Sequence, residues 1–309
     1  MIYTVTLNPA LDRGMVVEAL TTDDTVRAIS ETVFAAGKGI DVSRVIKELN
    51  GQSVTLGFVG GYDGLNLEGL LINAGILTQF TRISGETRIN IILKERQNSR
   101  QFVISAAGPQ VTAAEIGLFY QNFRQISDMT YLVMSGSLPR GVSSNLYGQL
   151  ILEARKKGAF IVLDTDGAAL KESIEYQPTC IKPNQHELSR LVGRPVETES
   201  EILAACEQLR QYGIGYILVS RGKNGMILFT EKVRLKAVSP PIEADSTVGA
   251  GDSAVAGFVL AHFRGMDLAR CLKFACAAGT ATAQTPGTEL CHRSDVETLM
   301  DKIQITSLD

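Results

Sequence analysis

A chain of 309 residues with 30 basic and 33 acidic side chains, formal net charge -3, is long enough for a large apolar core and has no basic block with which to hold nucleic acid or an anionic membrane. No apolar run approaches membrane-spanning length, the opening Met1-Ile2-Tyr3-Thr4 lacks the charged-then-apolar layout of a secretory signal, and five cysteines without a CxxC pair beside three histidines argue against a disulfide framework or a zinc site. A cytoplasmic protein with buried free thiols, whose partners are small molecules, is the expectation.

Residues 2–7 alternate β-branched and apolar side chains and predict a strand that Asn8-Pro9 stops. Asp12 follows just beyond it, where α/β folds place ligand contacts, although an Asp in a turn is usually only a turn residue. Residues 35–51 read as a Gly-rich turn feeding an amphipathic helix. Gly37, Lys38 and Gly39 open it, Val42, Val45, Ile46 and Leu49 form its apolar face, and Asn50-Gly51 end it. The spacing fits neither a Walker A loop nor GxGxxG. The glycines could serve the turn alone, but Lys38 and Asp41, so near the helix start, look more like ligand groups than core. A strand over 54–61 and a helix over 66–73 follow. Two β-rich patches, about 12–34 and 79–105, interrupt the alternation and are expected to pair as a small sheet beside the main domain. Arg88, with Thr87 and Asn90 nearby, has the fork geometry for a phosphate or sugar hydroxyls; a solvated hairpin charge is the plain alternative.

Residues 131–139 form a continuous apolar strand running into Ser135-Gly136-Ser137-Leu138-Pro139, the composition of a buried parallel strand with a ligand at its C-terminal end. Strands over 160–164, 180–183 and 216–220 continue the alternation, so a doubly wound α/β sheet is predicted. Lys182-Pro183-Asn184 leads to Glu187, three residues on. That pair could reach a metal-bound water, but a capping box explains it equally and is the reading the residues favour. Residues 275–287, rich in Ala and Gly, predict a helix suited to close packing against a flat ring such as adenine.

Asp245 to Ser253, reading Asp-Ser-Thr-Val-Gly-Ala-Gly-Asp-Ser, is the most chemical stretch. Gly249, Ala250 and Gly251 leave their backbone N–H groups open to an anion at the start of a helix that runs towards Gly265. Asp252 beside that nest is either a helix cap or a general base for a phosphoryl acceptor, and the motif alone leaves the two even.

Ala-Ala-Gly-Lys-Gly-Ile-Asp-Val-Ser-Arg, Thr-Arg-Ile-Asn, Ser-Gly-Ser-Leu-Pro, Lys-Pro-Asn-Gln-His-Glu-Leu and Ser-Thr-Val-Gly-Ala-Gly-Asp-Ser occur in an order that resembles the ribokinase (PfkB) family over about 1–295, within its phosphosugar branch. The resemblance implies a single ribokinase-like domain over 1–309, Rossmann-like and three-layered, with a β-sheet lid from 12–34 and 79–105 through which two subunits pair. It implies ATP and Mg2+ as cofactors and a sugar phosphate as partner. By position Asp252 is the base and Gly249, Ala250 and Gly251 the anion hole. Asn184 and Glu187 hold magnesium through water, and Lys182, Ser220, Gly222 and Gly279 join Asn184 around the nucleotide. Asp12, Gly37, Gly39 and Asp41 face the sugar, and Arg27, Lys38, Arg88 and Ser137 lie where the branch contacts sugar or its phosphate. Ser246 stands where many relatives carry an Asp associated with a monovalent cation, which leaves K+ an open cofactor.

The family usually has Asn where this chain has Asp41, a carboxylate that accepts but cannot donate and adds charge near an anionic substrate. The expected reaction is phosphorylation of fructose 1-phosphate to fructose 1,6-bisphosphate, with 6-phosphofructokinase or tagatose-6-phosphate kinase activity as alternatives. A non-catalytic sugar-phosphate sensor is the rival of another class, and the retained Asp252 and Glu187 argue against it. A nicotinamide dehydrogenase would want GxGxxG after the first strand, where Asn8-Pro9-Ala10 stands.

Overall fold

Every residue of the strand Ile2–Thr6 is buried, because it is the middle of a sheet covered on both faces. The computed structural model, which describes residues 1–308, pairs it in parallel with Ser53–Val59 on one side and Tyr131–Ser135 on the other. Beyond Tyr131–Ser135 come Phe160–Asp164, Cys180–Ile181 and Tyr216–Ser220, all parallel. Met226–Thr230, Arg234–Val238 and Gln304–Ser307 then close that flank antiparallel, and the short strand Leu77–Thr78 closes the other.

Alternation along the strands sorts the core into two layers. Tyr3, Val5, Leu132, Met134, Ile161 and Leu163 face one side and pack with Phe119, Phe123, Leu150, Leu188 and Leu209 from helices Ala113–Gln125, Leu146–Lys156, Gln185–Val192 and Glu199–Arg210. Ile2, Val133, Val162 and Leu218 face the other and pack with Val45, Val255, Phe258 and Ala277 from Lys38–Glu48, Ala250–Phe263 and Leu268–Ala283. Helix on sheet on helix is thus the solution in which each apolar strand face finds a cover.

The helix Ala250–Phe263 is buried continuously from Asp252 to Ala261 and can only be seated by close approach to its neighbour. A Cβ on Gly257 would stand 2.8 Å from Phe274 O, and one on Gly279 3.0 Å from Ala250 O. The small residues predicted to face adenine therefore mostly fit helix to helix, within Leu268–Ala283 rather than 275–287.

A second sheet of four strands, ordered Ser30–Ala36, Ala10–Val17, Arg88–Glu95, Arg100–Ile104, stands beside the first. Its central pair is parallel, with Asp12 opposite Asn90, and its outer pairs are antiparallel. The small sheet begins later in the second patch than 79–105 predicts. Thr81–Arg82 pairs with Phe58 and Val59 of the large sheet instead, and Ile83 N donates to Val59 O. No helix among the described residues is long and apolar enough to cross a membrane.

Candidate active site

The parallel strands end side by side, and their C-terminal ends carry Ser135, Asp164 and, one residue on, Lys182. Helix N-termini meet them from above. Gly249 caps the helix Ala250–Phe263 with φ +76°, a left-handed conformation that a side chain would strain, and a Cβ there would lie 2.6 Å from Leu290. The first intrahelical bond is Ser253 N to Gly249 O at 2.9 Å, and Ala250 N reaches back to Thr247 O at 3.4 Å, so the Gly251 and Asp252 N–H groups are the ones this helix start leaves to a ligand. Gly251 leaves room for the Lys182 ammonium, which would sit 3.4 Å from a Cβ.

Asp252 is 7% exposed, in the wall of this cleft and not on the outer surface. Burial pushes its carboxyl well above the usual range, Asp164 and Asp41 add to that, and Lys38 and Lys182 oppose it. The lysines converge on Asp164, with Nζ of Lys182 at 3.4 Å and of Lys38 at 3.8 Å from the same Oδ1. Asp164 holds the Lys38 ammonium in its charged form more firmly than usual. Asp164 is thus the carboxylate that positions both cations beside Asp252, and its two oxygens are buried without a hydrogen-bond donor. Sequence reading missed it, although a lone acid closing the apolar run Phe160-Ile-Val-Leu-Asp, at the end of a parallel strand, was a readable signal.

On the small-sheet side, Asn90 Nδ2 donates to Asp12 Oδ1 at 2.8 Å, and burial raises the Asp12 carboxyl against that bond. Asp41 is held by Arg44 Nη1 at 3.0 Å, and burial drives its pKa up to about 6, with Asp12 assisting and Arg44 resisting. Gly37 and Gly39 have a packing reason: Cβ atoms there would stand 2.6 Å from Thr6 Cγ2 and 2.7 Å from Val5 O. Arg88 gives Nη1 to Ala106 O at 2.6 Å and Nη2 to Asn8 O at 2.9 Å, so its fork already bridges backbone carbonyls. Ser137, exposed, lies 3.4 Å from Asn8 Nδ2. Arg27 is exposed in the loop between two strands of the small sheet, away from the cluster within its own chain.

Around the nucleotide positions, Ser220 N donates to Pro183 O at 3.1 Å and Asn184 bridges Ser220, which brings Lys182, Asn184 and Ser220 together. Gly222 takes φ +55° with open space around it. Gly279 is half-buried beneath Ala250. Asn184 and Glu187 form the full capping box, Glu187 N to Asn184 Oδ1 and Asn184 N to Glu187 Oε2, each 2.8 Å. The plain structural role is therefore realised; it occupies one oxygen of Glu187.

A buried carboxylate beside a helix-start amide turn and two lysines, at the carboxyl ends of a doubly wound sheet, defines a phosphoryl-transfer enzyme of ribokinase-like fold. Residues 6–295 match the pfkB family of carbohydrate kinases, and the chain belongs to that family. It is 35% identical to a 1-phosphofructokinase of Borreliella burgdorferi, covering 100% of this chain and 99% of the relative. It is 34% identical to a D-tagatose-1-phosphate kinase of Bacillus licheniformis, with both chains fully covered. Phosphofructokinase-2 of Escherichia coli, solved in complex with potassium, superposes with a TM-score of 0.92 at 29% identity, covering 97% of this chain and 98% of that one.

Proposed function

We propose that the chain transfers the γ-phosphoryl group of ATP to the primary hydroxyl of a ketohexose phosphate, with fructose 1-phosphate converted to fructose 1,6-bisphosphate. The observation that carries this reading is Asp252, buried beside the Gly249–Gly251 turn and within the field of Lys38 and Lys182. Relatives whose names specify a ketohexose 1-phosphate support the sugar.

Asp252 accepts the hydroxyl proton as the sugar oxygen attacks phosphorus and ADP leaves. A carboxylate with raised proton affinity is a better base, and the low-dielectric cleft that raises it also strengthens the amide and lysine contacts to the transferring group. Asp164 sets the place of both lysines. Asp12, with Asn90 behind it, and Asp41, with Arg44 behind it, accept hydrogen bonds from sugar hydroxyls. The family's magnesium fits this chain: Asp164 offers Oδ2, buried and not engaged by either lysine, Glu187 keeps one oxygen outside its capping bond, and oxygen ligands completed by water and phosphate are what the ion takes. When bound, it neutralises charge on the phosphates. At position 246 the hydroxyl already accepts from Val248 N at 3.3 Å, and we assign potassium no step.

The small sheet is read as a lid on a single domain. Its outer strand Arg100–Ile104 is exposed throughout, with Phe102, Val103 and Ile104 40%, 55% and 62% exposed, a row that supports pairing with a second copy. ATP turnover against fructose 1-phosphate, fructose 6-phosphate, tagatose 6-phosphate, tagatose 1-phosphate and the free sugars tests the reading. Fructose 1-phosphate should give the highest kcat/KM. Tight sugar-phosphate binding without turnover would replace the kinase by a sensor.

A further inference from the structure

Side chains alternate along a strand, so residues 88, 90, 92 and 94 share one face of Arg88–Glu95. Asn90, on that face, donates to Asp12, which marks it as the face turned to the cleft. Asn90 stands opposite Asp12 and Lys94 opposite Val16, and the four-residue step between them carries the lysine roughly 13 Å farther out along the small sheet. There Lys94 Nζ lies 3.7 Å from Asp245 Oδ1.

Among the described residues this is the only ion pair that joins a strand of the small sheet to the body of the molecule. The hydrogen bonds from Arg44 Nη1 to Ala35 O, 3.4 Å, and from Arg88 Nη2 to Asn8 O, 2.9 Å, belong to the root of the sheet, where the chain crosses over. Asp245 is set from behind. Its N–H donates to Ala283 O, at the end of the helix Leu268–Ala283, at 3.0 Å, and four residues further on comes Gly249, which opens the anion turn. Lys94 and Asp245 therefore connect the outer part of the small sheet to the segment that shapes the phosphoryl site. Their side chains are 44% and 48% exposed, so the pair shifts an equilibrium only a few-fold and yields to salt. A contact of that strength biases a moving part without locking it.

We propose that Lys94 and Asp245 form a latch that holds the small sheet down over the cleft, which makes Lys94 a positioning residue that touches neither substrate. The proposal rests on the kinase reading and on the small sheet acting as a lid. A latch on the outer row covers the cleft and excludes water while the contacts at the root stay as they are. It also separates cleanly from a plain effect of charge. Both substrates are anions, so through the field alone neutralising Lys94 would weaken their binding and neutralising Asp245 would strengthen it. In a latch the two act together: loss of either partner frees the sheet equally, and loss of the second adds nothing.

The test is a double-mutant cycle of Lys94→Gln and Asp245→Asn, with the exchanged pair Lys94→Asp plus Asp245→Lys, assayed with fructose 1-phosphate at saturating ATP. Each single variant should raise KM about threefold with kcat within about twofold, because apparent affinity follows the closed fraction. The double variant should match either single one, and the exchanged pair should return towards wild type. At about 0.5 M NaCl the difference between wild type and variants should shrink, as expected of an exposed pair. Shifts of opposite sign in the two single variants, or effects that multiply in the double variant, would overturn the latch. Spin labels on Gln97→Cys and Lys232→Cys report the lid without turnover. Their ligand-free distance distribution, read by pulsed electron resonance, should broaden alike when Lys94→Gln or Asp245→Asn is added. Should wild type phosphorylate no sugar, the kinase reading has failed and this distance still decides the latch; a distribution that neither substitution alters would overturn it.

Discussion

Replacing Asp41 by Asn should stabilise the protein, and the gain should depend on pH. The carboxyl is raised from an ordinary 3.8 to about 6 mainly by burial, with the pull of Arg44 already counted against it. The folded state therefore holds that proton more tightly than the unfolded chain. Its contribution to stability is full below pH 3.8 and is lost as pH rises through about 6. At about 1.4 kcal/mol per pKa unit, the stability lost relative to low pH is ~1 kcal/mol at pH 4.5, where only the unfolded chain has ionised, and ~3 kcal/mol at pH 8, where both states have. Asn is a neutral isostere of the protonated form, so its advantage should grow by about 2 kcal/mol across that interval. With an unfolding entropy near 2.1 cal/mol/K per residue, a chain of this length gains about 1.5 °C for each kcal/mol. Scanning calorimetry at pH 4.5, 6 and 8 should then show the difference in Tm widening by about 3 °C. A constant difference, or a variant less stable than wild type at pH 8, would refute the view that Asp41 is a buried charge held against its preference.

Asp252→Asn should lower kcat about 10²-fold or more with little change in nucleotide affinity, and it should remove the acid limb of the kcat profile, which in wild type lies above the usual carboxylate range because folding raises that group. Retention of activity would remove Asp252 from the role of base. Gly249→Ala should lower both Tm and kcat, since φ +76° and Leu290 at 2.6 Å leave a Cβ no unstrained place; a cost of about 1 kcal/mol or more is expected from denaturant melts, and an unchanged midpoint would show that the turn relaxes freely.

Much of the layout could be read before the coordinates. The strands Phe160–Asp164 and Tyr216–Ser220 were legible to the residue because a buried parallel strand writes itself as an unbroken apolar run. The Gly-rich turn before Asp252 was legible because few other residues take such a backbone. What eluded reading depends on partners distant in sequence. Thr81–Arg82 looks like the other short β pieces around it, and only its pairing with Phe58 and Val59 assigns it to the large sheet. Asp164 is an ordinary strand-end acid until Lys38 and Lys182, contributed by two other segments, converge on it. That the fork of Arg88 bridges Ala106 O and Asn8 O depends on two segments distant from it in sequence. The alanine-rich stretch advertised closeness, and the close neighbour is largely another helix.

The chain passes between the two sheets four times, at residues 7–9, 37, 83–87 and 105–112, and the middle strands of the smaller sheet run parallel, tethered through separate segments of the body. Such a flap cannot swing like a hairpin on one stalk. Asp12, Arg88 and Asn90 are rooted where those tethers attach, near the axis of any rocking, while Arg100 and the turn 96–99 that leads into the last strand ride farther out. Those three side chains would keep their station as the sheet leans, and the outer end would sweep through most of the travel.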